Sequence, residues 1–529
     1  MKRIKSICLL AALALGWQSA SALELPEIFS SNMVLQQQTQ ARIWGWAKKG
    51  ATIEVLASWD DKQKTVVEDA QNNTITLSSK TYTTTADKKT GRWELQIPTP
   101  EASYDTYTMY FIEKDAKGKP TDEMITLSNI LIGEVWFCSG QSNMEMPMRG
   151  FWNCPVEGAN QAIMQSGKYK KSVRVATIPK VAAQEPQDRV PGKWKECDPT
   201  TATEFSALGY YFATSLTDLL DVPVGIINCS WGGSCVEGWL PKDTLMTYPD
   251  GIVPFNDTDY MQKMVMYNGM LHPLAGYTIK GFLWNQGESN INRAEEYIPR
   301  FISMTNLWRK LWRQPDDKLP MYTVELPPYW YDNNDGTNGA EIRESQHIIA
   351  HQLENSGCVC TNDLVYPWES KQIHGTKKLE IGQRLAWMAA ARDYNLPGIA
   401  AEAPEFERMV KVEADPNQIS VIAGTPVAQN KNAKGQIVKL YFSNARDGFS
   451  RLSDIEGFEA AGADGLWHKA IVWADSDWQG PAEENGCHLK LVCPEIADIK
   501  NVRYNYHNWA PGSLHNYMGL PIVPFCTHF

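Results

Sequence analysis

The run Ile130-Leu131-Ile132-Gly133-Glu134-Val135-Trp136-Phe137-Cys138 constrains the fold more than any other part of the chain. Its β-branched and aromatic residues read as a buried strand, and the small pair Ser139-Gly140 ends it in a tight turn. Similar runs recur downstream: Val222–Cys229, Ile279–Trp284, Met321–Leu326 and Cys358–Thr361. Between them lie segments with helical spacing of apolar residues, at Ser206–Leu216, Tyr297–Trp312 and Lys377–Ala391. Alternation of strand, loop and helix predicts an α/β domain, a parallel sheet with helices on both faces. Such sheets bind ligands at the carboxyl ends of their strands. The style extends from residue 123 to residue 404. On either side, residues 23–122 and 405–529 carry short strands and turns instead, and each reads as a β-sandwich.

The first 22 residues read as a secretory signal peptide. Lys2, Arg3 and Lys5 form the charged region, Ile7–Trp17 a short apolar run, and Ala20-Ser21-Ala22 a small-residue cleavage pattern. An exported protein, periplasmic or extracellular, is therefore expected. Of 11 cysteines, only Cys8 leaves with the signal, and an oxidising compartment permits the rest to pair. Cys229 with Cys235, and Cys487 with Cys493, are the pairs to test first, although spacing fixes none. No CxxC or His-rich cluster suggests a metal. A net charge of -11 argues against nucleic acid and anionic membrane surfaces as partners. Twenty tryptophans are many for 529 residues; most belong in the core, but indole faces also stack on sugar rings, so carbohydrate is a live substrate class.

Four segments follow predicted strands of the central domain. In Gly140-Gln141-Ser142-Asn143-Met144 a serine sits in a turn where a hydrolase places its nucleophile, although Met144 replaces the second glycine of a G-x-S-x-G elbow. In Ser230-Trp231-Gly232-Gly233-Ser234 paired glycines let backbone N–H groups approach a ligand, as an oxyanion hole requires. Trp284-Asn285-Gln286-Gly287-Glu288-Ser289-Asn290 is dense in amides, which suit an oxyanion donor or a helix cap. Gln372-Ile373-His374-Gly375-Thr376-Lys377 offers a histidine that can take the proton of Ser142, or one that is merely structural. Each segment alone also reads as an ordinary turn or cap.

Together these blocks resemble the sialate O-acetylesterase family, a branch of the SGNH hydrolases. The resemblance runs over nearly all of residues 23–529. It includes Leu25–Phe29, Asn32–Gln36, Trp44–Ala47, Gly133–Met146, Asn268–Leu274, Gln286–Asn290, Ile342–Gln346, Gly382–Ala386 and Gly519–Phe525. It implies an SGNH-type three-layer α/β/α catalytic domain flanked by two β-sandwiches. It also implies removal of acetyl groups from O-acetylated sialic acid through an acetyl-serine, with no metal or organic cofactor. Ser142 matches the nucleophile and, through its own N–H, one oxyanion donor. Gly232 or Gly233 matches the second donor, Gln286 an oxyanion amide, and His374 the general base. SGNH enzymes often carry an aspartate three residues before the histidine, where this chain has Lys371. Glu369 is the nearest upstream acid and the candidate to orient His374; a Ser–His dyad and an acid from elsewhere are the alternatives. Trp231, Trp284 and Trp330 are expected to wall the sugar, and Arg343 either to meet a sialate carboxylate or to pair with a neighbouring acid. Acetylated xylan is the alternative substrate, and a glycan-binding protein without turnover is the alternative of another class.

Overall fold

The computed structural model describes residues 23–60, 65–68, 74–77, 80–115, 118–256, 258–314, 318–331, 335–412, 436–450, 455–474 and 488–527. The proposed signal peptide and Cys487 lie outside them. The described chain forms two compact units. The smaller comprises Ile43–Ile97 and Thr108–Thr126 together with residues 23–26. Its strands Thr52–Ala57 and Thr81–Thr85 pair antiparallel, and Ile53, Val55, Trp93 and Phe111 are buried in it.

From Leu127 on, β1 (Pro120–Gly140) belongs to the larger unit, where it joins β2 (Val173–Thr177), β3 (Trp194–Glu196), β4 (Val224–Ser230), β5 (Gly281–Asn285), β6 (Met321–Val324) and β7 (Ser356–Val359) in a mostly parallel sheet of order β3-β2-β4-β1-β5-β6-β7. Only the edge pair β2–β3 is antiparallel. Alternate side chains of β1 serve opposite faces. The Trp136 ring packs edge-on against Phe212, 5.2 Å away, whereas Phe137 packs against Trp312 at the same centroid distance. Phe212 belongs to α2 (Ala207–Leu220) and Trp312 to α3 (Ala294–Trp312), so helices cover both faces of the sheet. The sequence expectation of a mixed α/β architecture with a parallel sheet is met. Helices α4 (Asn338–Gln352) and α5 (Lys378–Asp393) follow β6 and β7. Helix α5 lies close on α2 because Gly382 leaves room: a Cβ there would sit 2.7 Å from Tyr211 Cβ and 2.8 Å from the Phe212 nitrogen.

The C-terminal strands fall in this same unit. Phe406–Val412, Ile437–Phe442, His488–Val492 and Ile471–Ala474 form one four-stranded antiparallel sheet. Trp467–Lys469, Phe458–Ala461, Asn501–Tyr504 and Phe525–Cys526 form another, and both contribute to one apolar core around Leu440, Leu491 and Val502. Among the described residues all cysteines are free, Cys229 and Cys235 included.

Candidate active site

The register of three neighbouring strands builds the site. Gly140, the last residue of β1, pairs with Ser230 of β4 on one side and Asn285 of β5 on the other. The three segments singled out in sequence therefore leave adjacent strands at the same, carboxyl-terminal edge. Gly140 has φ +133°, and a Cβ there would lie 2.1 Å from the Asn285 carbonyl oxygen, so only glycine fits. The turn is fixed by Gln141: its N–H donates to Asn285 O at 3.0 Å, and its Oε1 accepts from the N–H groups of Gly287 and Ser289.

Ser142 opens the short helix α1 (Ser142–Glu145). An N–H in the first helical turn has no intrahelical acceptor and faces outward as a donor. Helix α2 braces α1 from behind: the Ser206 hydroxyl donates to Met144 O at 2.6 Å, and Ala207 N–H to Met146 O. Gly232 lies directly beside the serine; a Cβ built on it would be 3.3 Å from Ser142 Cβ. Its N–H donates to the Glu145 carboxylate at 2.5 Å, whose other oxygen pairs with Lys180 at 2.7 Å. A carboxylate oxygen thus occupies the donor expected to serve an oxyanion. Gly233 takes a left-handed φ of +81°, and its carbonyl accepts from Ser289 Oγ.

Asn143 ties the serine turn to the histidine segment. Its amide donates to the Glu288 carboxylate and to Ile373 O, the carbonyl just before His374, and its oxygen accepts from Lys378 Nζ at 2.7 Å. Lys378 is 2% exposed, and burial lowers its pKa to about 8 against the opposing pull of Glu288 and Glu369. Burial pushes the Glu288 carboxyl up, and Oε2 of that group is buried without a partner. His374 is held at about 4, by burial first and then by the Lys378 charge, so its imidazole is neutral at ordinary pH.

Around the His374 ring stand Phe151, edge-on with centroids 5.1 Å apart, and Cys154, whose Sγ is 3.7 Å from Nδ1. The Cys154 thiol donates to Gln372 Oε1 at 3.1 Å, the same oxygen that accepts the His374 N–H. Neither residue stood out in sequence: Cys154 lies 220 residues from His374, in a turn with no signature of its own. Glu145 and Lys378 also gave no separate signal.

Four expectations are corrected. Glu369 does not reach the His374 ring: its oxygens accept the N–H groups of Tyr366 at 2.7 Å and Thr376 at 3.0 Å, which folds the segment around the histidine. Gln286 is fully buried, and its amide is spent on Ser234 O and Asn290 Oδ1, so it is a strut and not an oxyanion donor. Trp284 is buried as well, donating to Tyr297 OH inside an aromatic core. Arg343 is 1% exposed and donates to His507 O, and its Nε and Nη1 are buried without a partner among the described residues, so it lies inside the fold and not on an open wall of the site. Trp231 and Trp330 are half-buried, and Lys371 stands over the Trp330 ring. Two tryptophans not singled out in sequence are exposed on the segments that hold His374: Trp152, next to Phe151, and Trp368, stacked on Tyr366 at 4.5 Å.

A profile of the family described as carbohydrate esterase, sialic acid-specific acetylesterase matches residues 132–391. The chain is 28% identical to a sialate O-acetylesterase of Pongo abelii and 27% identical to one of Homo sapiens, each over 72% of this chain and 73% of the relative. A solved carbohydrate acetylesterase from Xanthomonas citri superposes with a TM-score of 0.76 at 26% identity, covering 96% of this chain and 99% of the other.

Proposed function

We propose that this carboxylic-ester hydrolase, which is similar to the sialic acid-specific acetylesterases of the carbohydrate esterases, is an exported, SGNH-type enzyme that removes O-acetyl groups from sialic acid with Ser142 as its nucleophile. The observation that carries the reading is the shared edge of β4, β1 and β5, which puts Ser142 beside Gly232 with Asn143 reaching the His374 segment.

His374 takes the Ser142 hydroxyl proton as Oγ attacks the acetyl carbonyl. The Ser142 and Gly232 N–H groups hold the developing oxyanion, and Glu145 must withdraw toward Lys180 for Gly232 to do so. The imidazolium then protonates the sugar oxygen as the C–O bond breaks, leaving acetyl-Ser142. Water, deprotonated by His374, attacks that ester; acetate leaves and the proton returns to Oγ. Trp231 and Trp330 line the approach of the sugar.

The specific sugar is a separate question. With Arg343 buried, no guanidinium among the expected residues meets a sialate carboxylate, and this favours an acetylesterase of another glycan, such as xylan, as the second reading. Acetate release from O-acetylated sialic acid and from acetylated xylo-oligosaccharides should be compared with Ser142→Ala as the control. Faster Ser142-dependent release from the sialic acid is expected; faster release from xylan would transfer the assignment to the second reading.

A further inference from the structure

Among the described residues no carboxylate bonds the His374 ring to fix its tautomer, yet its Nδ1 side is not left to solvent. The turn Phe151–Cys154 is closed by reciprocal backbone bonds of 3.0 Å, Phe151 N–H to Cys154 O and Cys154 N–H to Phe151 O. Gln372 clamps that turn to the histidine segment: its amide donates to Asn153 O at 3.0 Å, and its oxygen accepts both the Cys154 thiol and the His374 N–H. With the S–H committed to Gln372, a sulfur lone pair faces His374 Nδ1 at 3.7 Å.

We infer that Cys154 and Gln372 form a neutral positioning pair for His374: the thiol, oriented by the carboxamide, accepts Nδ1–H and leaves Nε2 as the base. This rests on the reading of His374 as the general base for Ser142. A serine in place of Cys154 preserves the donor and acceptor, whereas alanine removes both. No proton is transferred to sulfur at any step; Nδ1–H stays on the ring while Nε2 gains and loses the Ser142 proton. Because the partner is neutral, it does not hold the imidazolium as a carboxylate would. The titratable groups facing the ring are Cys154 and Lys378, and with burial the latter keeps the imidazole neutral.

The test follows kcat, KM and the pH profile of aryl acetate hydrolysis in Cys154→Ala, Cys154→Ser, Cys154→Asp and His374→Ala. Cys154→Ala should lower kcat about tenfold with KM unchanged, a part of the roughly 10²–10⁴-fold that general acid–base catalysis supplies. Cys154→Ser should restore most of that loss. Cys154→Asp should move the acid limb to higher pH, since a carboxylate stabilises the imidazolium. If Cys154→Ala does not fold, Gln372→Leu reads the same pair and should show the same fall in kcat. An inactive His374→Ala alongside a Cys154→Ala of wild-type kcat and pH profile would overturn the positioning pair alone. An active His374→Ala would overturn the underlying base assignment instead.

Discussion

A buried ammonium beside a histidine changes what pH does to the ring. His374 titrates at about 4, and an unfolded histidine near 6.5, so the unfolded chain binds more protons between those values. Stability from this group is complete above about 6.5 and is lost as pH falls toward 4. With His374 as the proposed base, the same shift sets activity: the imidazole is neutral down to about 4, so the acid limb of kcat/KM should lie there. Lys378→Met removes the cation and should move that limb to higher pH; a limb that stays put would show that burial alone depresses His374. Glu145 makes a second prediction. In the proposed mechanism its carboxylate competes with the oxyanion for Gly232 N–H, and an amide oxygen accepts more weakly than a carboxylate by about 1 kcal/mol. Glu145→Gln should therefore raise kcat/KM for an aryl acetate several-fold; a fall would mean that the carboxylate is needed to shape the turn. The turns that carry Ser142, Gly232 and His374 could be singled out in sequence, the first two because each follows a strand and the third because it precedes a helix. Cys154, Lys378 and Glu145 were not, because their roles depend on which loops meet in space. Trp284 and Gln286 lie at a strand end and Arg343 lies within helix α4, and burial, which position along the chain does not display, turns all three into struts.

Elements carry the site through a few tight contacts. Gly140→Ala would drive a methyl into Asn285 O at a backbone angle that L-residues rarely adopt. Loss of soluble protein, or of all esterase activity, is expected; a stable active variant would contradict the β1–β5 register. Glu369→Gln replaces an acceptor-only group with one that presents NH2 to a backbone N–H, at a cost of about 1–3 kcal/mol. The melting temperature and kcat should fall while the acid limb stays near 4, since Glu369 touches the loop and not the ring. A displaced limb would return Glu369 to the role of orienting acid. The helices were readable because their apolar spacing is long: Ala207–Leu220 and Lys378–Asp393 begin within a residue of where the pattern starts. The loop between β7 and α5 was not readable, since backbone N–H groups decide its shape and sequence does not display them.

At the scale of the molecule, the C-terminal strands are bound into the larger unit by buried polar contacts. Asp363, in the loop after β7, takes both Arg384 donors at 2.7 Å and His515 at 3.1 Å. Burial opposes its ionisation, yet these partners hold its carboxyl at about 2, so the stabilisation is present above about 3.9 and is lost as pH falls toward 2. Asn362 donates to Ile522 O, Tyr506 OH to Glu344, and Asn508 Oδ1 accepts Gly339 N–H. Asp363→Asn should cost about 3–5 kcal/mol by stranding Arg384; an unchanged denaturation midpoint would show that the C-terminal strands dock without this cluster. The change from strand–helix alternation to short strands near residue 404 was visible in sequence; these cross-contacts were not, because their partners lie far apart along the chain. The most direct test of the central claim is the mass of the intact enzyme quenched during turnover of an acetylated glycan. The account predicts one added acetyl group, mapped to the peptide bearing Ser142 and absent from Ser142→Ala. Acetate release at an undiminished rate by Ser142→Ala, with no acetylated peptide, would contradict it.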